Sequence, residues 1–223
     1  MIKKLDWDSE FFGRAICRYD LNDPDAFDFN MTESPFDSVY VFSDAPILKL
    51  ETADGVFSDI KLTYKKPADI RKPDESLFLR PVQTLGLKSL FLQSGAFSRF
   101  KLDPVFKPRF EELYSRWMQA ALDGAFDDLI VSTGSPEKPT SCLTLKKEMN
   151  ALRIGIIAVD ESARGKGIGT GLIDYASSKA HEFGYDSLIV SAQERNKQAM
   201  RFYEKQGFTI WKKEYIYHIH KDV

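Results

Sequence analysis

The chain has 223 residues, 43% of them hydrophobic, enough for one large domain or two small ones with a sizeable core. A formal charge of −2 with 29% charged residues gives no overall basic field for nucleic acid or anionic lipid, so an anion site must be local. No apolar run is long enough to span a bilayer, the N-terminus lacks a signal-peptide core, and Cys17 and Cys142 stand in no metal or redox spacing; a cytoplasmic protein is expected.

Residues 1–20 place Trp7, Phe11 and Phe12 beside Gly13, as core aromatics near a turn. From 20 to 75, the apolar runs 38–42, 47–50 and 60–64 alternate with Asp, Pro and Gly and read as strands joined by turns; 65–75 reads as a charged, solvated connection. Leu85, Leu87, Leu90 and Leu92 then lead into a segment with two readings. It is either a helix end capped at Gly95 with a surface loop after it, or an anion site built from the hydroxyls of Ser94 and Ser98 and the cations Arg99 and Lys101.

A helix is predicted over 108–122, because Phe110, Leu113, Tyr114, Trp117 and Ala121 share a face, Pro108 suits the first turn and Gly124 the end. The runs 128–133, 140–147 and 151–159 follow as an antiparallel meander. A second helix begins near Gly165 with Ile168, Leu172, Ile173, Ala176, Ala180 and Phe183 on one face. A strand over 187–192, a helix over 196–205 and a long strand over 208–220 complete the chain.

Between strand 151–159 and the second helix stands Arg164-Gly165-Lys166-Gly167-Ile168-Gly169-Thr170. Glycines at a helix N-terminus let backbone N–H groups approach an anion, with the helix dipole behind them. Lys166 is followed by Gly167 rather than Ser or Thr, which excludes a Walker A loop, and Thr170 and Leu172 stand where the dinucleotide fingerprint needs glycine.

The pattern Arg/Gln-x-x-Gly-x-Gly/Ala, met by Arg164, Gly167 and Gly169, resembles the pyrophosphate loop of the GCN5-related N-acetyltransferases (GNAT), and the likeness extends over about 110–218. It implies a mixed central sheet flanked by helices, an α/β (α+β) fold. Residues 106–223 would form an acetyl-coenzyme A-binding domain, and a β-rich 1–105 the acceptor side. The stretch from Leu5 to Gly13, and Ser94-Gly95-Ala96-Phe97-Ser98-Arg99-Phe100, also resemble acetyltransferases similar to dTDP-fucosamine acetyltransferase. A dTDP-linked aminosugar is therefore the first acceptor expected. Other amines (a protein N-terminus, an amino acid, a polyamine) and a non-catalytic coenzyme A-binding module are the alternatives.

By the same resemblance, Ile157, Ala158 and Val159 offer backbone to the pantetheine arm, and Arg164, Gly165, Lys166, Gly167, Ile168, Gly169 and Thr170 hold the pyrophosphate. Asn196, Ala199 and Phe202 complete the coenzyme site, although Asn196 is also a good helix N-cap and Phe202 a good packing residue. Tyr203 stands where the family's tyrosine reaches the thioester sulfur. Ser98, Arg99, Lys101 and Glu148 are the substrate-side candidates; Glu148 is either a base or a solvated turn residue. His218 and His220 share one face of the last strand, but the sequence shows no third ligand, so they read as exposed or interface histidines and no metal is expected. The long terminal strand and fully formed sheet edges make a homodimer a further expectation.

Overall fold

The computed structural model describes residues 2–69 and 73–221. Strand β1 (Ile2–Lys4), helix α1 (Asp6–Phe12), β2 (Ile16–Leu21), β3 (Ser38–Ser43), a one-turn helix α2 (Leu48–Glu51) and β4 (Phe57–Pro67) make up the first third. Helices α3 (Leu85–Ser94), α4 (Arg99–Leu102) and α5 (Phe110–Leu122) follow. The chain then runs β5 (Leu129–Val131), β6 (Ser141–Lys147), β7 (Leu152–Val159), α6 (Ile168–Glu182), β8 (Ser187–Gln193), α7 (Lys197–Lys205) and β9 (Thr209–His220).

The nine strands form one mixed sheet in the order β1-β2-β3-β9-β4-β8-β7-β6-β5. Only β2–β3 and β7–β8 are parallel among the described pairs. Period-two alternation sends neighbouring residues to opposite faces: Cys142 joins one core, Leu143 and Leu145 the other. Each face therefore needs a cover. Phe11 and Phe12 of α1, Leu87, Leu90 and Phe91 of α3 and Leu113 and Tyr114 of α5 pack on one side with Tyr40 and Phe42. Leu172, Ile173, Ala176 and Ala180 of α6 pack on the other with Leu62, Tyr64 and Val190. Each fully buried Leu or Ile contributes about 1.5–3 kcal/mol of transfer free energy. The result is the mixed sheet flanked by helices.

β4 lies between β8 and β9, so the first and second halves of the chain interlock in one sheet. β9 runs inside that sheet, between β3 and β4, and the edges are β1 and β5. Residues 47–50 are not a strand: Ile47 and Leu50 are buried while Leu48 and Lys49 are exposed, a spacing of three that fits the turn of α2. The charged connection begins later than expected, because Lys65, Lys66 and Pro67 pair with β8, and Lys66 is buried with its Nζ 2.8 Å from Asp69. Residues 70–72 of that stretch lie outside the described residues. Residues 6–12 are helical, ended by Gly13 at φ +65°, and Trp7 is 48% exposed, stacked on Phe11. No helix among the described residues is long and apolar enough to cross a membrane.

Candidate active site

β7 and β8 pair only from Leu152 to Ile154 against Leu188 to Val190. Beyond Ile154 the two strands part, and β7 continues on β6 alone, with Ile157, Ala158 and Val159 opposite Leu143, Cys142 and Ser141. The register slips at Thr144, whose Oγ1 accepts the Ile156 N–H at 2.9 Å. Gly155 permits this: a Cβ there would meet Thr144 Oγ1 at 2.7 Å and Asp127 Oδ1 at 3.0 Å. The consequence is a slot whose β7 wall has unpaired backbone on its β8 side.

The glycine loop closes one end of the slot. Asp160 caps the turn at Glu161–Ala163, Gly165 and Gly167 have φ of +76° and +81°, and α6 starts at Ile168, three residues later than the sequence suggested. The first intrahelical bond runs from the Gly171 N–H to the Gly167 carbonyl, which leaves the N–H groups of the preceding turn free for an anion. Arg164 folds back along the loop, donating to the Val159 carbonyl at 3.0 Å and to Gln93 Oε1 at 3.2 Å. Gly169 allows close packing, since a Cβ would come within 3.2 Å of the Phe202 ring.

A cavity of about 1080 Å³ joins these parts. Of the residues singled out in the sequence, Ile157, Ala158, Val159, Arg164, Gly165, Gly167, Ile168, Gly169, Thr170, Asn196, Ala199, Phe202, Tyr203, Ser98 and Arg99 line it. Asn196 also caps α7, its Oδ1 accepting the Ala199 N–H at 3.0 Å, as its residue type suggested. Tyr203 is buried, its ring 5.6 Å from that of Tyr64, and burial pushes its hydroxyl well above the usual tyrosine range.

Three candidates lie elsewhere. Lys166 is exposed and donates to the Ser162 carbonyl. Lys101 lies over the Phe110 ring at 4.9 Å, because residues two apart on the single turn of α4 cannot share Arg99's direction. Glu148 is tied to Arg153 by a two-pronged ion pair and does not reach the cavity.

Arg99 occupies the far end. Its guanidinium packs over Tyr40, Phe42 and Phe100 at 4.9, 5.4 and 4.6 Å, and its Nε is buried without a hydrogen-bond partner. Two cations that the sequence reading missed share this end: Arg18, paired with Asp20, and Lys61, held 2.7 Å from Glu214. Only strand pairing brings them there, so no local motif marks them. Burial lowers the Lys61 pKa, against the opposing pull of Glu214.

The metal-free expectation is overturned beside this end. His218 and His220 are buried rather than exposed, and Asp103 joins them: its carboxylate and the two ring nitrogens lie within 4.8 Å of one another, a group that could hold a metal ion.

Comparison with known proteins places this geometry. Residues 98–208 match the Acetyltransferase (GNAT) family. N-alpha-acetyltransferase 30 of Saccharomyces cerevisiae is 29% identical over 94 residues, 40% of this chain and 53% of that protein, so the match spans about half the length of the yeast relative. Among solved structures, a conserved protein of unknown function from Staphylococcus epidermidis superposes with TM-score 0.56 at 16% identity, over 81% of this chain and 72% of that one. A GCN5-related N-acetyltransferase from Sphaerobacter thermophilus gives 0.52 at 14% identity, over 82% and 59%. At these identities the superpositions speak for the fold alone. With the family match over the very segments that build the slot and the loop, the chain belongs to the GNAT acetyltransferase superfamily.

Proposed function

We propose that this chain is an N-acetyltransferase that moves acetyl from acetyl-coenzyme A to the primary amine of a small anionic acceptor. The observation that carries the proposal is the single cavity in which the parted β7 edge, the glycine loop and Tyr203 meet a lining whose charged side chains are all cationic. These are Arg18, Lys61, Arg99, Arg164 and Lys205; no carboxylate or histidine lines it among the described residues.

The unpaired edge of β7 suits an extended amide-bearing arm, in the manner of an added strand. The N–H groups at the start of α6 suit its pyrophosphate. Acetyl-coenzyme A, when bound, supplies an activated thioester. A backbone N–H near Val159 would meet the charge that grows on the carbonyl oxygen. Tyr203, its proton held tightly by burial, would act as a neutral donor to the leaving sulfur, in a hydrogen bond that strengthens as the thiolate forms. Cys17 and Cys142 are both buried and outside the cavity lining, so direct attack by the amine needs no acyl-enzyme. With no carboxylate or histidine in the lining among the described residues, water is the group this reading assigns to take the acceptor's proton.

Arg99 supports the anionic acceptor. Among the described residues it forms no salt bridge: Asp8 and Asp59 stabilise its charge from a distance, its Nε is buried without a hydrogen-bond partner, and an acceptor anion would complete the pairing. A nucleotide-linked 4-amino-4,6-dideoxysugar carries that charge on its diphosphate and is the first acceptor to test. A second reading, acetylation of a protein N-terminus, is favoured by the likeness to the yeast N-alpha-acetyltransferase.

The deciding experiment measures thiol release from acetyl-coenzyme A with a dTDP-linked 4-aminosugar, a polyamine and free-amine peptides. Turnover on the aminosugar nucleotide well above the others supports the proposal. Preference for peptides moves it to the second reading, and tight coenzyme binding with no turnover makes the protein a binding module.

A further inference from the structure

We propose that Asp103, His218 and His220 form a divalent-metal site of zinc type that clamps α4 to β9. His218 and His220 are two residues apart on β9, so both rings emerge on one face of the sheet. Asp103 ends α4, 115 positions before His218. Its Oδ2 receives both rings, His218 Nδ1 at 2.6 Å and His220 Nε2 at 3.0 Å.

The donor set is two imidazole nitrogens and one carboxylate oxygen, which suits zinc and its neighbours in the first transition row; calcium and magnesium prefer oxygen alone. Two of the three remaining polar atoms are held as ligand-orienting partners hold them, while His218 Nε2 is buried without a hydrogen-bond partner. His220 Nδ1 meets Ser38 Oγ at 2.9 Å, and Asp103 Oδ1 accepts the Val105 N–H at 2.9 Å. The Ser38 hydroxyl can accept or donate, so His220 can carry its proton on Nδ1 once Nε2 is committed to a metal. Aromatic rings wall the cluster: Phe106 stands 5.4 and 5.2 Å from the two imidazoles, Tyr40 4.5 Å and Phe57 5.2 Å from His218.

In a tetrahedral zinc site with bonds of about 2.0–2.2 Å, neighbouring ligand atoms stand roughly 3.3 Å apart. Metal entry would therefore replace the two hydrogen bonds on Oδ2 by coordination, with small outward movements of the rings. The site has a structural consequence for the cavity, because α4 carries Arg99 and is preceded by Ser98. A metal fixing Asp103 to β9 would hold that wall in place.

The test uses the full chain prepared without a polyhistidine tag. Elemental analysis after gel filtration should find one equivalent of a zinc-type metal per chain, and the stripped protein should take up cobalt(II) with the visible absorption of a tetrahedral nitrogen–oxygen site. Asp103→Asn, close in shape to the original, should bind zinc at least about tenfold more weakly. Chelator should lower the melting temperature of the wild type and leave that of Asp103→Asn unchanged. If Asp103→Asn does not fold, zinc titration of stripped wild-type protein against a chelating dye decides, with one saturable site expected. The absence of a saturable site, or metal retained equally by Asp103→Asn, would overturn the proposal and leave a hydrogen-bonded Asp–His–His cluster.

Discussion

Arg99 and Arg18 have the same charge at the same end of the cavity, yet among the described residues only Arg18 is in a salt bridge; Asp8 and Asp59 act on Arg99 through space without pairing with it. If the acceptor's anion is Arg99's missing partner, Arg99→Gln should raise the acceptor KM by about 10- to 100-fold, the worth of a charged hydrogen bond. The acetyl-coenzyme A affinity should stay unchanged; equal losses in both would place Arg99 in general packing instead. Two buried carboxylates outside the proposed chemistry, Asp59 and Asp127, are pushed up to about 6 by burial. Their folded-state pKa exceeds the unfolded value of about 3.9, so the folded form holds the extra proton, and stability present at low pH is lost as pH rises from about 4 through 6. Asp127→Asn should thus match the wild type near pH 4 and exceed it by about 1–3 kcal/mol at pH 7.5 in denaturant titrations. A difference independent of pH would contradict this.

At the scale of elements, the slot depends on glycine at one position and merely tolerates it at another. Gly155→Ala puts a methyl 2.7 Å from Thr144 Oγ1, so it should cost about 1–3 kcal/mol and weaken acetyl-coenzyme A binding measured by calorimetry. Gly171→Ala, inside α6 with only Phe78 at 3.8 Å, should stabilise by roughly 0.5–1 kcal/mol and leave that binding alone. These elements were legible because their signals are local. Helical spacing and glycine punctuation marked α5, α6, α7 and the strands between them to within a few residues. Long-range pairing left less trace: α2 looked like a strand because Ile47 to Leu50 is too short a run for its period to show. Lys101 looked equivalent to Arg99 until the turn of α4 separated them. Asp103 and His218 gave no hint of each other across 115 positions.

For the molecule as a whole, the insertion of β4 between β8 and β9 was invisible in the sequence, since strand order depends on partners far apart in the chain. It makes residues 1–105 and 106–223 share one sheet. Residues 106–223 expressed alone should therefore lack a cooperative unfolding transition, because β8 and β9 lose the strand that joins them; a soluble, cooperatively folding fragment would show that the halves are separable. The central claim is that this fold brings an acetyl thioester to an amine beside Tyr203. Its most direct test compares the initial rate of acceptor-dependent thiol release by wild type and Tyr203→Phe, with acetyl-coenzyme A affinity measured on both. The account predicts turnover lower by on the order of 10²-fold or more with affinity nearly unchanged; equal turnover, or a loss matched by the loss in affinity, would contradict it.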